Sequence, residues 1–117
     1  MPPTVLIVDD HAGFRRAARD VLEAEGFLVV GESATGGDAL TAVKRVQPAV
    51  VLLDIGLPDI DGLEVAARLT AADRERAVIL TSSRDAADCL PLVAHSGARG
   101  FIPKHELSGA AIAALSG

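Results

Sequence analysis

The sequence predicts an α/β fold, an open parallel sheet with helices packed on both faces. Three observations predict it. Five short apolar runs recur along the chain, and they are continuous rather than alternating, as strands are when both faces are buried. Amphipathic stretches with helical period lie between them. Side chains that carry chemistry follow the runs, which is where open α/β sheets build their sites.

The first run is Val5-Leu6-Ile7-Val8. Phe14, Ala17, Ala18, Val21 and Leu22 then recur at i, i+3, i+4, i+7 and i+8, with Arg15, Arg16, Arg19 and Glu23 opposite, so the first helix is predicted there. Gly26 supplies its stop. Phe27-Leu28-Val29-Val30 is the second strand, and Gly36-Gly37 reads as a turn before the second helix. That helix carries the stripe Ala39, Leu40, Val43 and Val46 and ends at Pro48. Val50-Val51-Leu52-Leu53 is the third strand. Asp61 with Glu64 forms an acidic capping box for the third helix, whose predicted inward residues are Leu63, Ala66 and Ala67. Val78-Ile79-Leu80 is the fourth strand. Asp85 is a candidate cap for a fourth helix, in which Pro91 forces a kink or a regular start near Leu90. Gly100-Phe101-Ile102 is the fifth strand, and Glu106 through Leu115 the fifth helix.

Composition narrows the function. A chain of 117 residues suits one domain with a real core, and 50% apolar content excludes intrinsic disorder. A net charge of −5 argues against direct contact with a nucleic-acid backbone. The lone Cys89 excludes an internal disulfide and a cysteine-based zinc site, and is read as a packing residue. No apolar run is long enough to span a bilayer, and Met1-Pro2-Pro3 opens no signal peptide. The reading is therefore a cytoplasmic domain without a membrane partner.

The residues after the strands form a pattern. Asp9 and Asp10 follow the first strand, Asp54 the third, Thr81 and Ser82 the fourth, and Lys104 closely follows the fifth. Taken singly, these are ordinary caps, turns and surface charges. Taken together, they place three carboxylates, hydroxyls and an ammonium at one end of one sheet. Two carboxylates about 4 Å apart repel by roughly 4 kcal/mol at an effective dielectric of about 20, so such a cluster protonates or binds a cation. An all-oxygen set favours Mg²⁺, with Mn²⁺ as second choice. An aspartate beside such an ion is able to attack phosphorus, with Lys104 and a hydroxyl meeting the phosphoryl oxygens.

These residues resemble the receiver domain of two-component response regulators, a CheY-like family. Val5-Leu6-Ile7-Val8-Asp9-Asp10-His11 resembles its opening strand and acidic pair. Asp54-Ile55-Gly56-Leu57-Pro58-Asp59-Ile60-Asp61-Gly62 resembles its phosphoacceptor loop, and Gly97 through Lys104 its last strand and lysine. The resemblance implies a flavodoxin-like (βα)₅ fold with strand order 2-1-3-4-5. It implies that Asp54 accepts a phosphoryl group from a sensor histidine kinase or phosphotransfer protein. Mg²⁺ would be held by Asp10, Asp54 and the Gly56 carbonyl, with Asp9 supporting through water, and Lys104 would pair with the aspartyl phosphate.

The family's switch hydroxyl lies 22 residues before the lysine, which selects Ser82. Thr81, one residue earlier, is expected to face away from the site. Phe101 falls at the aromatic switch position. The expected result is a changed surface on the fourth helix, fifth strand and fifth helix, which would meet an output protein or a second copy of the chain. Residues 1–117 read as one receiver domain, with no output domain in this chain. No proline follows Lys104; together with the Asp-Asp-His opening, this is similar to NarL-class receivers. Ile102–Pro103 is expected to be trans.

His11 is read as a rim residue, with a ligand or proton-relay role as the lesser alternative, and His95 and His105 as surface residues. Gly56 and Arg84 stand two residues past Asp54 and Ser82, where the family tunes dephosphorylation. The function expected is a switch rather than a turnover enzyme. One rival is an Mg-dependent phosphatase with an aspartyl intermediate, but that chemistry wants a D-x-D after the first strand. The other is a degenerate receiver that only binds proteins, but that reading wants an acid pair, acceptor or lysine to be missing.

Overall fold

A computed structural model describes residues 3–83, 91, 93 and 95–116. Strands β1 (Thr4–Val8), β2 (Leu28–Ser33), β3 (Val50–Asp54), β4 (Ala77–Ser82) and β5 (Gly100–Pro103) form one sheet in the order β2-β1-β3-β4-β5. Its neighbours pair in parallel. This is the doubly wound, flavodoxin-like order. Helices α1 (Ala12–Ala24), α2 (Gly36–Val46) and α3 (Gly62–Ala72) alternate with the strands. A 3₁₀ turn (Lys104–Glu106) and a C-terminal helix (Gly109–Ser116) close the chain.

The continuous apolar runs have the predicted cause. Alternate strand residues feed two separate cores. Leu6, Val8, Val51, Leu53, Val78 and Leu80 pack against α2 and α3 through Ala39, Val43, Val65 and Leu69. Val5, Ile7, Val50, Leu52, Ala77, Ile79 and Ile102 pack against α1 and the C-terminal helix through Ala18, Leu22 and Ile112. β2 is an edge strand, and Leu28 at its start is 46% exposed.

Several local expectations need correction. Gly36 and Gly37 are not a turn but the first turn of α2. The hydroxyl of Thr35 accepts from Asp38 N–H at 3.1 Å. The Asp59 carboxylate, in the loop after β3, accepts from Gly36 N–H at 2.8 Å and Gly37 N–H at 2.9 Å. These three bonds satisfy the free amides of a helix start, which offsets the poor intrinsic helix preference of two glycines. Asp61 caps α3 as expected, accepting from Leu63 N–H at 2.8 Å. The buried face of α3 is Val65, Ala66 and Leu69, while Leu63 and Ala67 are half-buried. The last helix begins at Gly109 rather than Glu106, because Lys104 to Glu106 form the 3₁₀ turn.

Gly26 takes φ +94° at the end of α1, as its stop role requires. Among the described residues no peptide bond is cis, Ile102–Pro103 included. The expected fourth-helix cap Asp85, the start near Leu90, Arg84 and Cys89 lie outside the described residues; Pro91, Val93, His95 and Ser96 are helical. Among the described residues no helix is long and apolar enough to cross a membrane.

Candidate functional site

The strand ends converge as the pattern required. Val8 pairs with Leu53, so the residues that follow or end these strands, Asp9 and Asp54, stand side by side. Asp9 is fully buried and Asp54 is 5% exposed. From beyond β5, the Lys104 ammonium reaches back to 2.6 Å from Asp9 Oδ2 and 3.6 Å from Asp54 Oδ2. The Asp9 contact is an ion pair without hydrogen-bond alignment, so Oδ2 stays without a hydrogen-bond donor among the described residues. The other Asp9 oxygen accepts from His11 N–H at 2.8 Å.

Asp10 is more exposed, and its Oδ1 lies 3.0 Å from His11 Nδ1. His11 Nδ1 also lies 3.2 Å from Asp9 Oδ1, so the histidine is in direct contact with both acids although its ring is 71% exposed. Arg15 fixes the backbone here by donating to the Asp9 carbonyl at 2.6 Å, while its Nε meets Glu32 at 3.1 Å.

Burial raises the proton affinity of Asp54, and the charge of Asp9 raises it further. Lys104 and the Gly56 N–H, which donates to Asp54 Oδ1 at 3.3 Å, oppose that rise without cancelling it. Burial first, and the neighbouring acids second, thus outweigh the ammonium at Asp54. One ligand atom from each of Asp9, Asp10, His11 and Asp54 lies within 4.8 Å of the others. Three clustered carboxylates, an oxygen-dominated set, fit a hard divalent cation.

Of the residues singled out in the sequence, the structure brings together Asp9, Asp10, Asp54 and Lys104, with Gly56 bonded to Asp54. Ser82 ends β4, is buried, and pairs with Pro103, the residue before Lys104. Phe101 is half-buried and pairs with Leu80. By strand alternation Ser82 and Phe101 share one face of the sheet.

Thr81, the residue before Ser82, pairs along the sheet with Asp54, and its buried hydroxyl has no hydrogen-bond partner among the described residues.

Two contributors were missed. Phe14 packs against the core as its stripe predicts, and its ring centroid also lies 4.6 Å from the Lys104 ammonium. Asp59 carries no local signal, because its partners, Gly36 and Gly37, lie at the start of α2. Grooves of about 500 Å³ beside Thr70 and His95, and about 490 Å³ between α2 and α3, are lined by none of Asp9, Asp10, Asp54 and Lys104.

A parallel 2-1-3-4-5 sheet with an acidic cluster and a lysine at its carboxyl end defines a receiver-type α/β domain. The chain belongs to the response regulator receiver domain family, whose pattern it matches over residues 5–115. It is thus a phosphoacceptor signalling module of two-component systems. It is 46% identical over 106 residues to BvgA of Bordetella pertussis, described as a transcription regulator of virulence factors; the match covers 87% of this chain and 49% of BvgA.

Among solved structures it is similar to the signal receiver domain of NarL from Mycobacterium tuberculosis. The identity is 31% and the TM-score 0.87, covering 99% of this chain and 98% of that one. It is also similar to a chain of the CheX–CheY–BeF₃–Mg²⁺ complex of Borrelia burgdorferi. There the identity is 27% and the TM-score 0.86, covering 98% of this chain and 87% of that one. The chain spans about half the length of the first curated relatives it matches.

Proposed function

We propose that Asp54 is the phosphoacceptor, receiving its phosphoryl group from the phosphohistidine of a sensor kinase or phosphotransfer protein. The observation that carries this reading is the position of Asp54. It ends the central strand beside Asp9, with its proton affinity raised and the Lys104 ammonium 3.6 Å from its Oδ2. An Asp54 carboxylate oxygen attacks phosphorus, the P–N bond of the donor breaks, and the departing imidazole takes its proton from solvent. Lys104 meets the phosphoryl oxygens, and the Gly56 N–H is placed to donate to the same group.

Mg²⁺ is the cation this donor set suits; Asp10, Asp54 and the Gly56 carbonyl would hold it, with Asp9 supporting through water. When bound, it neutralises charge between the acids and the phosphoryl oxygens. Mn²⁺ is the second choice. The Borrelia relative, whose complex contains BeF₃ and Mg²⁺, supports this assignment.

Ser82 is the switch hydroxyl in this reading, drawn toward the phosphoryl group, and Phe101 turns inward on the face the two share. The surface of the fourth predicted helix, β5 and the C-terminal helix then changes its preferred partner, an output protein or a second copy of this chain. Residues 1–117 act as one receiver unit in the cytoplasm, with self-phosphorylation and self-dephosphorylation as the only chemistry.

Incubation with ³²P-acetyl phosphate and Mg²⁺ tests the assignment. The wild type is expected to take up label and Asp54→Ala to take up none. Equal labelling of both moves the acceptor elsewhere.

A further inference from the structure

We propose that Phe14 is the positioning residue that holds the Lys104 ammonium at the acidic site. The proposal rests on the reading of Asp54 as phosphoacceptor and adds to it the device that places its cationic partner.

A lysine side chain is long and rotatable, and a lysine at a sheet rim by default extends into water. Lys104 does not; its side chain is 16% exposed. Three groups fix its ammonium: Asp9 Oδ2 at 2.6 Å, Asp54 Oδ2 at 3.6 Å, and the Phe14 ring with its centroid at 4.6 Å. The ring face attracts a cation through its quadrupole and shields the amine from water. Phe14 is itself anchored, because it packs against the core under α1 with Phe27 and Leu107. It also stands one turn into α1, directly after the acidic segment Asp9-Asp10-His11.

The three holds differ in one respect. Protonation or a bound cation weakens the pull of Asp9 or Asp54 on the ammonium, and phosphoryl transfer moves the charge it follows from the Asp54 carboxylate to the phosphoryl oxygens. The attraction of the ring depends on none of these. Phe14 is therefore the one partner of the three that keeps the ammonium in place while the carboxylates change state. Leucine at position 14 would keep apolar packing and lose the quadrupole, whereas tyrosine would keep the ring.

The test compares wild type, Phe14→Leu, Phe14→Tyr, Lys104→Ala and the double variant Phe14→Leu/Lys104→Ala. The first readout is the rate of labelling by acetyl phosphate with Mg²⁺. The second is the proton NMR shift of the Lys104 Cε methylene, which ring current moves upfield. Phe14→Leu is expected to slow labelling about five- to tenfold, the size of a partly desolvated cation–π contact, and Phe14→Tyr to stay within about twofold of wild type. In the Lys104→Ala background, Phe14→Leu should add no further loss. The methylene shift should be present in wild type and Phe14→Tyr and lost in Phe14→Leu.

A wild-type rate in Phe14→Leu, or a loss that is undiminished without Lys104, overturns the proposal. An unlabelled wild type overturns the phosphoacceptor reading instead. The methylene shift then decides alone: an upfield shift lost only in Phe14→Leu sustains the placement of Lys104 by Phe14, and an ordinary shift in wild type overturns it.

Discussion

Gly62, the first residue of α3, lies so close to Asp54 that a Cβ on it would overlap the Asp54 carbonyl and the Ile55 Cα. Its N–H also donates to the Ile55 carbonyl at 3.0 Å, folding the loop after β3 back on the strand end. Both obstacles are backbone, so neither gives way by a rotamer change. Gly62→Ala should cost on the order of 2–3 kcal/mol. It should also slow labelling at Asp54, because the loop has to move to make room. Urea denaturation of the two proteins side by side checks the first point. An unchanged midpoint would mean that the loop is more compliant than its contacts imply.

Asp54→Asn should stabilise the metal-free protein at neutral pH by about 1 kcal/mol, a rise of several degrees in Tm. The sign follows from linkage. Burial and Asp9 raise the Asp54 pKa in the fold. The native state then binds the proton more tightly than the unfolded chain. The group's contribution to stability is fully present below the ordinary aspartate value and is lost as pH rises through the raised one. The advantage of the asparagine variant should therefore grow over that interval and vanish in more acid solution. Melting curves across pH, each variant against wild type, check it.

Divalent cations should reverse that ranking. In the proposed site Mg²⁺ would bind the folded acidic cluster and not the unfolded chain, so millimolar Mg²⁺ should raise the wild-type Tm by mass action. Asp54→Asn and Asp10→Asn should each lose most of the rise. A rise in Asp10→Asn equal to that of wild type would remove Asp10 from the ligand set.

Asp59 should behave oppositely to Asp54. Hydrogen bonds from Gly37 and Gly36 hold its carboxyl below the usual range. Stability from this cap is present above the ordinary aspartate pKa and is lost as pH falls through the lowered one. Asp59→Ala should lower Tm at neutral pH and speed hydrogen exchange at the Gly36 and Gly37 amides, with little effect at the amides of β1. Unchanged exchange at those two amides would show that Thr35 alone suffices to start α2.

Much of the architecture was readable because burial leaves a local trace. Val5 to Val8 and Val50 to Leu53 are uninterrupted apolar runs only because their alternate side chains enter two cores. Asp9, Asp10, Asp54 and Lys104 were readable as a group because each follows or ends a run. What escaped depends on partners far along the chain. Nothing near Gly36 announces that Asp59 will cap it, so two glycines read as a turn. Glu106 reads as a good helix residue, yet the chain keeps a 3₁₀ turn from Lys104 to Glu106 and starts the helix at Gly109. The register that sets Thr81 beside Asp54 is likewise not written in either strand alone.

The division of the sheet into two packed sides has a consequence for how a message would travel. Ile79 packs on the side of α1, whereas Leu80 and Phe101 pack on the side of α2 and α3. Successive residues of β4 thus face different cores, one peptide unit apart. In the proposed switch, a pull on the end of β4 would pass between those cores along the backbone alone, with both left packed.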